Sequence, residues 1–457
     1  MSQAVPPPRL QVRTVPIDED RALLDLIPDL PVGDRAVAWV RRGAGLVGWG
    51  QAVRIEPTPG PGRFRDAEVT LRRLRAEVDD RVGLPGTGLV GIGSFAFTDR
   101  DPGSALIVPR RVVGRRQGTT WLTTIDPPGE ESDAPAPPGP RPSSPPPGAA
   151  RDRPRYAGSS KPDRYWLEAV AEAIGRIGAG ELAKVVLARD HAVWAHEPFD
   201  ALDLARRLTD RFPRCHTFVV DGLVGATPEL LLARVGDRVR SRVLAGTVAR
   251  SDDADEDAAL GASLLASAKD RHEHRLAAES VREVLAPRCT ELRHEQEPRL
   301  LALDNVQHLA TLFEGRLTTG DGRTGADGEA GAHGDGRTGA DGEAGAPPTA
   351  LELVAALHPT AAVGGTPRST ALALIDELEG MQRGRYAAPV GWTDQSGDGE
   401  WGIALRCAEL SGARARLFAG VGIVGASLPE AELEETRLKL LAMQEALGER
   451  SPGAGVR

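Results

Sequence analysis

The sequence predicts an α+β fold with large β-sheets, folded as a single domain. Segments typical of strands follow one another in meanders, and helical segments are inserted between them rather than alternating with single strands as in parallel βαβ winding. Pairs of acidic residues that suit one site lie in different blocks of the sequence, which favours one domain over several. Hydrophobic residues make up 40% of the 457 residues but aromatic residues only 4%, so we expect a large aliphatic core.

Strand signals come first along the chain, where short alternating apolar runs are joined by glycine turns. The middle and last parts mix such runs with helical periodicity. In chain order we predict strands at 35–40 and 45–55, a helix at 162–178, a strand at 183–194, a helix at 200–210, a strand at 215–222, a hairpin within 228–246, one long helix at about 256–286, a helix at 370–380, strands at 391–394, 401–410 and 414–424, and a final helix at 429–447.

Two segments interrupt this pattern. Residues 126–155 are dominated by proline, glycine, serine and charge, and cannot bury enough apolar surface to fold, so we predict a disordered linker insert. Within 318–348 the sequence GDGRTGADGEAGA occurs twice in tandem. These copies lack the apolar positions of a calcium-binding β-helix repeat, so we predict a flexible surface loop lengthened by duplication. The segments 1–125 and 156–455 then form the folded protein.

Charge and cysteine content exclude several classes of function. The 56 basic and 65 acidic residues give a net charge of −9, too acidic for a protein whose main role is binding nucleic acid. Three scattered cysteines are too few for a disulfide framework or a zinc site. The first thirty residues contain no apolar signal-peptide core, and no apolar run approaches the ~20 residues that span a bilayer. We therefore expect a soluble, cytoplasmic protein with no nucleic-acid or membrane partner.

The predicted helix at 256–286 carries carboxylates on the face that should be buried. Its apolar stripe runs from Ala277 to Leu285, and one turn further back on the same stripe lies Glu273, with Asp270 three residues before it. An ionised carboxylate is normally buried only when it is paired or bound to a metal. The periodicity thus indicates either a functional site or a helix whose first turns are exposed.

The last predicted helix repeats the pattern. Glu432, Glu435 and Lys439 are spaced i, i+3, i+7 beside its apolar stripe. Two carboxylate pairs on separate helices, with few histidines or cysteines in register, suit a hard cation with oxygen ligands such as Mg²⁺. The spacing leaves a second interpretation open, namely surface acids with Glu435 and Lys439 as an exposed i, i+4 ion pair.

Taken together, a series of short motifs resembles the chorismate-utilising enzymes, which include isochorismate synthases, salicylate synthases and the large subunits of anthranilate and aminodeoxychorismate synthases. The resemblance covers about 160–445 in order, with the duplicated loop as the only interruption. The motifs are AKVVLAR (183–189), GATPELLLAR (225–234), LAGTVAR (244–250), SAKDRHEH (267–274), HLATLFEG (308–315), HPTAAVGG (358–365), GWTD and WGIALRCAEL (within 391–410), FAGVGIV (418–424) and AELEETRLKL (431–440).

The resemblance implies two large antiparallel sheets with helices outside them, as in anthranilate synthase component I, and a site between the sheets. It also implies Mg²⁺ held by Glu273 and Glu435, with Asp270 and Glu432 supporting the metal's waters. Arg406 and Lys439 would bind the carboxylates of chorismate. The other substrate contacts implied are Gly246 and Gly420 through their backbones, Thr247, His358, Ala362 and Tyr386.

Lys184 and Glu229 indicate the branch of the family. Members that use ammonia carry glutamine at the position of Lys184, whereas members that use water carry this lysine. Desolvation disfavours the charged form of a lysine, so a buried lysine can become the neutral base that deprotonates water. Glu229 would be the protonated acid that donates to the departing hydroxyl. The implied activity is isomerisation of chorismate to isochorismate, by a monomer or homodimer without a glutamine amidotransferase subunit.

Two alternatives accompany this interpretation. Salicylate-forming members, which go on to eliminate pyruvate, resemble this chain at Tyr386 and Leu405, but they tend to carry threonine at the position of Ala362, and Phe418 is typical of isochorismate formation. A non-catalytic chorismate-binding homologue is the second alternative, although none of the expected catalytic or metal-binding residues is missing. The sequence leaves open whether the product serves menaquinone or siderophore synthesis.

Overall fold

The computed structural model describes residues 9–30, 36–127, 154–318 and 345–448. Its helices are α1 (Arg63–Arg73), α2 (Asp163–Gly178), α3 (Ala201–Arg211), α4 (Ala254–Ala266), α5 (Ala268–Leu285), α6 (Ala350–Leu357), α7 (Arg368–Leu378) and α8 (Pro429–Leu447), with 3₁₀ turns at Leu23–Leu26 and Ala286–Arg288. Among the described residues, no helix is both long enough and apolar enough to cross a membrane.

The strands in chain order complete the architecture. They are β1 (Arg9–Ile17), β2 (Val37–Arg41), β3 (Ala44–Trp49), β4 (Val53–Ile55), β5 (Arg75–Asp80), β6 (Val90–Ser94), β7 (Ala105–Val108), β8 (Arg111–Arg116), β9 (Thr119–Asp126), β10 (Arg155–Gly158), β11 (Lys184–Trp194), β12 (His216–Val220), β13 (Leu223–Thr227), β14 (Leu230–Val235), β15 (Arg238–Ala249), β16 (Cys289–His294), β17 (Arg299–Ala302), β18 (Val306–Leu317), β19 (Gly365–Thr366), β20 (Pro389–Asp394), β21 (Gly399–Ile403), β22 (Cys407–Ser411) and β23 (Arg414–Ile423).

These strands form two large sheets. One has 13 strands in the order β10-β11-β23-β22-β13-β12-β2-β3-β8-β9-β1-β5, with β19 paired to β11. The other has 10 strands in the order β16-β18-β15-β14-β21-β20-β6-β7-β4, with β17 paired to β18. Neighbouring strands are antiparallel except for β1 and β5, which are parallel. The predicted α+β class with two large antiparallel sheets in a single domain is therefore confirmed.

A hydrophobic core lies between the sheets. It contains Trp39 from the 13-stranded sheet and Trp392 and Trp401 from the 10-stranded sheet, all fully buried. Most of its other residues are aliphatic, as predicted, but the core also contains further aromatic side chains such as Phe95 and Trp121. A second cluster packs α3 and α8 against the 13-stranded sheet.

The helix predicted at 256–286 is in fact two helices. The chain breaks at Ser267, whose φ of −63° and ψ of 115° are not helical, and its hydroxyl accepts a hydrogen bond from the backbone N–H of Asp270. Serine is favoured at such a helix N-cap because its side chain can accept a hydrogen bond from a free N–H of the first helical turn. The break makes Asp270 part of the first turn of α5, and Glu273 lies one turn later. Helices α1 and α6 were not predicted.

The two predicted inserts lie largely outside the described residues. At their borders, Asp126 is the last residue of β9 and Arg155 the first of β10, so the folded part extends slightly into the predicted linker. Strand β18 ends at Leu317, directly before the predicted loop.

A buried ion pair anchors β11. Arg383 Nη2 lies 2.5 Å from Glu379 Oε1, and both side chains are almost completely buried. The same guanidinium donates to the carbonyl oxygens of Val186 and Val363, while Glu379 accepts from the backbone N–H of Ala188. Because every charged atom here has a partner, the network holds β11 and the segment after α7 in one arrangement.

Candidate active site

A cavity that is partly open to solvent lies where β15, β23, α5 and α8 come together. Most of the predicted site residues, although distant in sequence, contribute to its lining. They are Glu229, Gly246, Thr247, Glu273, Ala362, Tyr386, Arg406, Gly420, Glu435 and Lys439.

Lys184 is fully buried next to this cavity. It begins β11, and its Nζ lies 3.1 Å from Oε1 of the cavity residue Glu273. The contact is not aligned as a hydrogen bond, and Nζ has no hydrogen-bond partner within the described chain. Side chains alternate along a strand, so Val186 projects to the same side as Lys184 and lines the cavity. The lysine therefore lies against the Glu273 carboxylate with little access to solvent.

Glu229 lies in the short connection between β13 and β14 and is buried. Its backbone N–H donates to Thr227 Oγ1 at 3.2 Å. Burial raises the pKa of its carboxyl group to about 8, although the positive charges of Lys184 and Lys439 act in the opposite direction. At neutral pH the side chain therefore carries a proton that it can donate.

Three carboxylates on α5 and α8 have lysine partners. Glu273 contacts Lys184, as described above. Glu432 Oε1 lies 2.6 Å from Lys269 Nζ, and the Glu435 carboxylate lies 2.8 Å from Lys439 Nζ.

The Glu435–Lys439 pair has features of both interpretations drawn from the sequence. It is an i, i+4 ion pair, and both residues line the cavity. Lys439 also donates to the carbonyl oxygen of Gly420 at 2.9 Å. On the neighbouring Glu432, burial and the charge of Glu435 raise the pKa, and Lys269 opposes this increase. Among the described residues, no three His, Cys, Asp or Glu side chains converge as a ready-made metal site.

Arg406 is oriented by a histidine that the sequence reasoning did not single out. Its Nη2 donates to His308 Nε2 at 2.6 Å, so Nε2 has to be the unprotonated ring nitrogen. The other ring nitrogen of His308 then carries the proton and lies 3.1 Å from Thr247 Oγ1 and 3.3 Å from the carbonyl oxygen of Gly246. Burial and the charge of Arg406 lower the pKa of His308 well below its usual range. The histidine is therefore neutral.

His308 lies within the motif HLATLFEG, but only its position on β18 opposite Thr247 of β15 reveals its role. A polar residue among apolar ones on a buried strand was the available signal. Arg406 itself has a φ of +46°, a conformation uncommon for a residue other than glycine. Such a local constraint is often found at functional sites.

Aromatic rings form one wall of the cavity. Tyr386 and Phe418 stack with centroids 5.0 Å apart and an angle of 9° between their planes. Gly420 lies against this stack, and a Cβ atom there would be 3.0 Å from Tyr386 Oη. The cavity thus combines an apolar wall with cationic groups on Arg406 and Lys439, an arrangement suited to a cyclic carboxylate.

His358 does not line the cavity. Its Nε2 lies 2.9 Å from the carbonyl oxygen of Phe97, and its ring packs edge-on against the rings of Phe97 and Phe64. Its assignment as a substrate contact is therefore corrected: the end of α6 carries it into the core beside α1. Asp270 and Glu432 also lie outside the lining, next to Glu273 and Glu435 on their helices, where they were expected to act indirectly.

A family model described as "chorismate binding enzyme" matches residues 34–322 and 338–448. The chain belongs to this family. MenF of Mycobacterium tuberculosis is 37% identical to this chorismate-binding enzyme over 378 residues. The aligned region covers 79% of this chain and 87% of that relative. Isochorismate synthase DhbC of Bacillus subtilis is 37% identical over 299 residues, and this alignment covers 63% of the present chain and 68% of DhbC.

Solved structures agree with the family assignment. MenF, the menaquinone-specific isochorismate synthase of Escherichia coli, superimposes with a TM-score of 0.73 at 25% identity, covering 98% of this chorismate-binding enzyme and 96% of that chain. Anthranilate synthase component I of Streptococcus pneumoniae shares the fold, with a TM-score of 0.62 at 20% identity over 92% and 93% of the two chains. The resemblance stated from the motifs is confirmed.

Proposed function

We propose that this enzyme is an isochorismate synthase, which converts chorismate reversibly to isochorismate. The observation that carries the proposal is the pair of buried groups, Lys184 and Glu229, at one cavity. The carboxyl group of Glu229 keeps its proton at neutral pH because burial raises its pKa to about 8. Water-dependent isomerisation needs one base and one acid, and this pair supplies both. The relatives named as isochorismate synthases support the same chemistry.

In the proposed reaction the Lys184 amine takes a proton from a water molecule as the water oxygen bonds to C2 of the substrate ring. The ring double bond shifts, and the bond between C4 and its hydroxyl oxygen breaks. Glu229 donates its proton to the departing hydroxyl, which leaves as water. One water enters and one leaves, so the reaction is an isomerisation, and the two side chains exchange roles in the reverse direction.

Arg406 and Lys439 are the proposed partners of the substrate's carboxylates. Both are cationic and line the cavity. Charge-assisted hydrogen bonds of this kind are stronger than neutral ones and orient the bound anion. His308 keeps the Arg406 guanidinium in place, and Thr247 in turn contacts His308.

Glu273 and Glu435 are suitable ligands for the Mg²⁺ that the family implies. Both line the cavity, and both present the carboxylate oxygen donors that Mg²⁺ prefers. We propose that they hold Mg²⁺, with Asp270 and Glu432 supporting its waters. When bound, the ion would supply positive charge for the ring carboxylate of chorismate.

The proposal is tested by incubating the purified protein with chorismate and Mg²⁺ and separating the products by chromatography. We expect isochorismate in equilibrium with chorismate, and no pyruvate. Stoichiometric pyruvate with salicylate would assign the enzyme to the salicylate-forming branch despite Ala362. Ammonia-dependent formation of anthranilate would contradict the inference from Lys184, and a lack of any product would leave a chorismate-binding protein without this activity.

Metal dependence is a separate prediction. Chelation with EDTA should abolish turnover, and added Mg²⁺ should restore it, because Glu273 and Glu435 would otherwise hold no divalent ion. Glu273→Gln and Glu435→Gln should each remove most activity and raise the Mg²⁺ concentration needed for half-maximal rate. Glu434 is exposed and lies next to Glu435 on α8, so Glu434→Gln serves as the control and should behave like wild type. Full activity in excess EDTA would overturn the metal assignment.

Three further expectations from the sequence stay predictions. We infer that the enzyme needs no glutamine amidotransferase subunit, because water rather than ammonia is the proposed nucleophile. We also infer a monomer or homodimer and a cytoplasmic location.

A further inference from the structure

Two glycines in the cavity wall face the acidic side of α5. A Cβ atom on Gly422 would lie 2.0 Å from Glu273 Oε1 and 2.9 Å from Lys184 Cε. A Cβ atom on Gly246 would lie 3.2 Å from Cβ of Asp270. Real Cβ atoms essentially never come within 3.0 Å of a neighbour, so a side chain at residue 422 would force the end of the Glu273 side chain out of its present position.

The backbone at Gly422 does not itself demand glycine. Gly422 lies within β23 and pairs in register with Val186 of β11, and its φ is not positive. Gly246 differs, because its φ of +78° would strain any other residue. The requirement at Gly422 therefore comes from the side chains opposite it, and an alanine there tests space alone.

We propose that Gly422 is a positioning residue for the catalytic centre: the missing side chain leaves the space in which the Glu273 carboxylate reaches both the cavity and Lys184. Gly246 provides the equivalent space for Asp270 one turn earlier on α5. An added methyl group at position 422 would push the carboxylate away from Lys184, and a displacement of about 1 Å at a catalytic group can cost on the order of 10²-fold in rate.

The inference rests on the proposed function for its rate measurement, so the test also includes metal binding, which needs no turnover. Gly422→Ala should lower kcat/KM for chorismate by on the order of 10²-fold. In calorimetric titration with Mg²⁺ it should weaken affinity by roughly 10- to 100-fold, as when the support of a ligand is lost. A double-mutant cycle with Glu273→Asp, whose carboxylate is retracted by one methylene, identifies the partner. The combined loss should be clearly smaller than the product of the two single losses.

Gly425→Ala is the matched control, because a Cβ atom there meets only Ile177 Cγ2 at an ordinary 3.6 Å. It should keep wild-type rate and Mg²⁺ affinity. If Gly422→Ala lowers the melting temperature, the double variant Gly422→Ala/Glu273→Ala should restore it, since the clashing carboxylate is gone. Any of three results would contradict the inference. Gly422→Ala could behave like the wild-type enzyme, the two single losses in the cycle could simply multiply, or Glu273→Ala could fail to restore a lowered melting temperature. An inactive wild-type enzyme would instead contradict the proposed function.

Discussion

Replacing Glu229 with glutamine will remove most of the activity and change how stability depends on pH. Glutamine cannot protonate the departing hydroxyl, so kcat/KM should fall by roughly the 10²- to 10⁴-fold typical of a lost general acid. In the wild-type enzyme the acid must be protonated, and its pKa is about 8. The wild-type rate should therefore decline as the pH rises through about 8, and the residual rate of the variant should lack this decline.

The raised pKa of Glu229 also makes the stability of the folded protein depend on pH. The folded enzyme keeps Glu229 protonated up to a pH of about 8, whereas in the unfolded chain the carboxyl group ionises near its usual pKa of 4.5. Stability contributed by the protonated form is fully present below pH 4.5 and is lost as the pH rises to about 8. The free energy of unfolding at pH 7 should therefore be about 3 kcal/mol lower than at acidic pH, because each pH unit above the unfolded pKa costs ~1.4 kcal/mol. Glu229→Gln should not show that loss in denaturant unfolding measured across this range.

Glu68 provides the control for both measurements. It is also a buried glutamate whose pKa is raised by burial, but it lies on α1 and does not line the cavity. Glu68→Gln should keep the wild-type rate and its decline near pH 8. If Glu229→Gln turned over chorismate like the wild-type enzyme, the proton donor would have to be another group.

Replacing Lys184 with alanine will remove the base. We expect a loss of roughly 10²- to 10⁴-fold in kcat with Mg²⁺ and chorismate saturating. Chorismate affinity should remain within a few fold, because the proposed carboxylate partners Arg406 and Lys439 are unchanged. The Kd for chorismate, measured by calorimetry in the presence of Mg²⁺, separates the two effects.

The buried position of Lys184 calls for a second variant, since alanine leaves a void in β11. Lys184→Met keeps most of the side-chain volume while removing the amine, and it should lose the same activity with a smaller change in melting temperature. Lys161→Ala is the control, because this lysine lies outside the cavity over the ring of Tyr165. A Lys184→Met enzyme with wild-type kcat would leave the attacking water without its proposed base.

Local sequence patterns account for much of what could be foreseen. Apolar periodicity located α2, α3 and α8 to within a residue or two, because a helix buries one stripe whatever it packs against. The same periodicity placed Glu273 on the buried face of α5, where the structure has it. The break at Ser267 was missed, since the apolar spacing continues through it and only the cap ends the helix.

The sequence by itself thus determined the fold class, the family and the acidic faces of two helices, because composition, short-range spacing and ordered motifs carry that information. Only the tertiary structure decided which side chains meet. Strand register sets His308 against Thr247 and Arg406, and the missing Cβ of Gly422 admits Glu273 beside Lys184. The tertiary structure also places His358 outside the cavity. The access of a side chain to a cavity, like the pKa of a buried group, depends on atoms from distant segments, which no local sequence pattern contains.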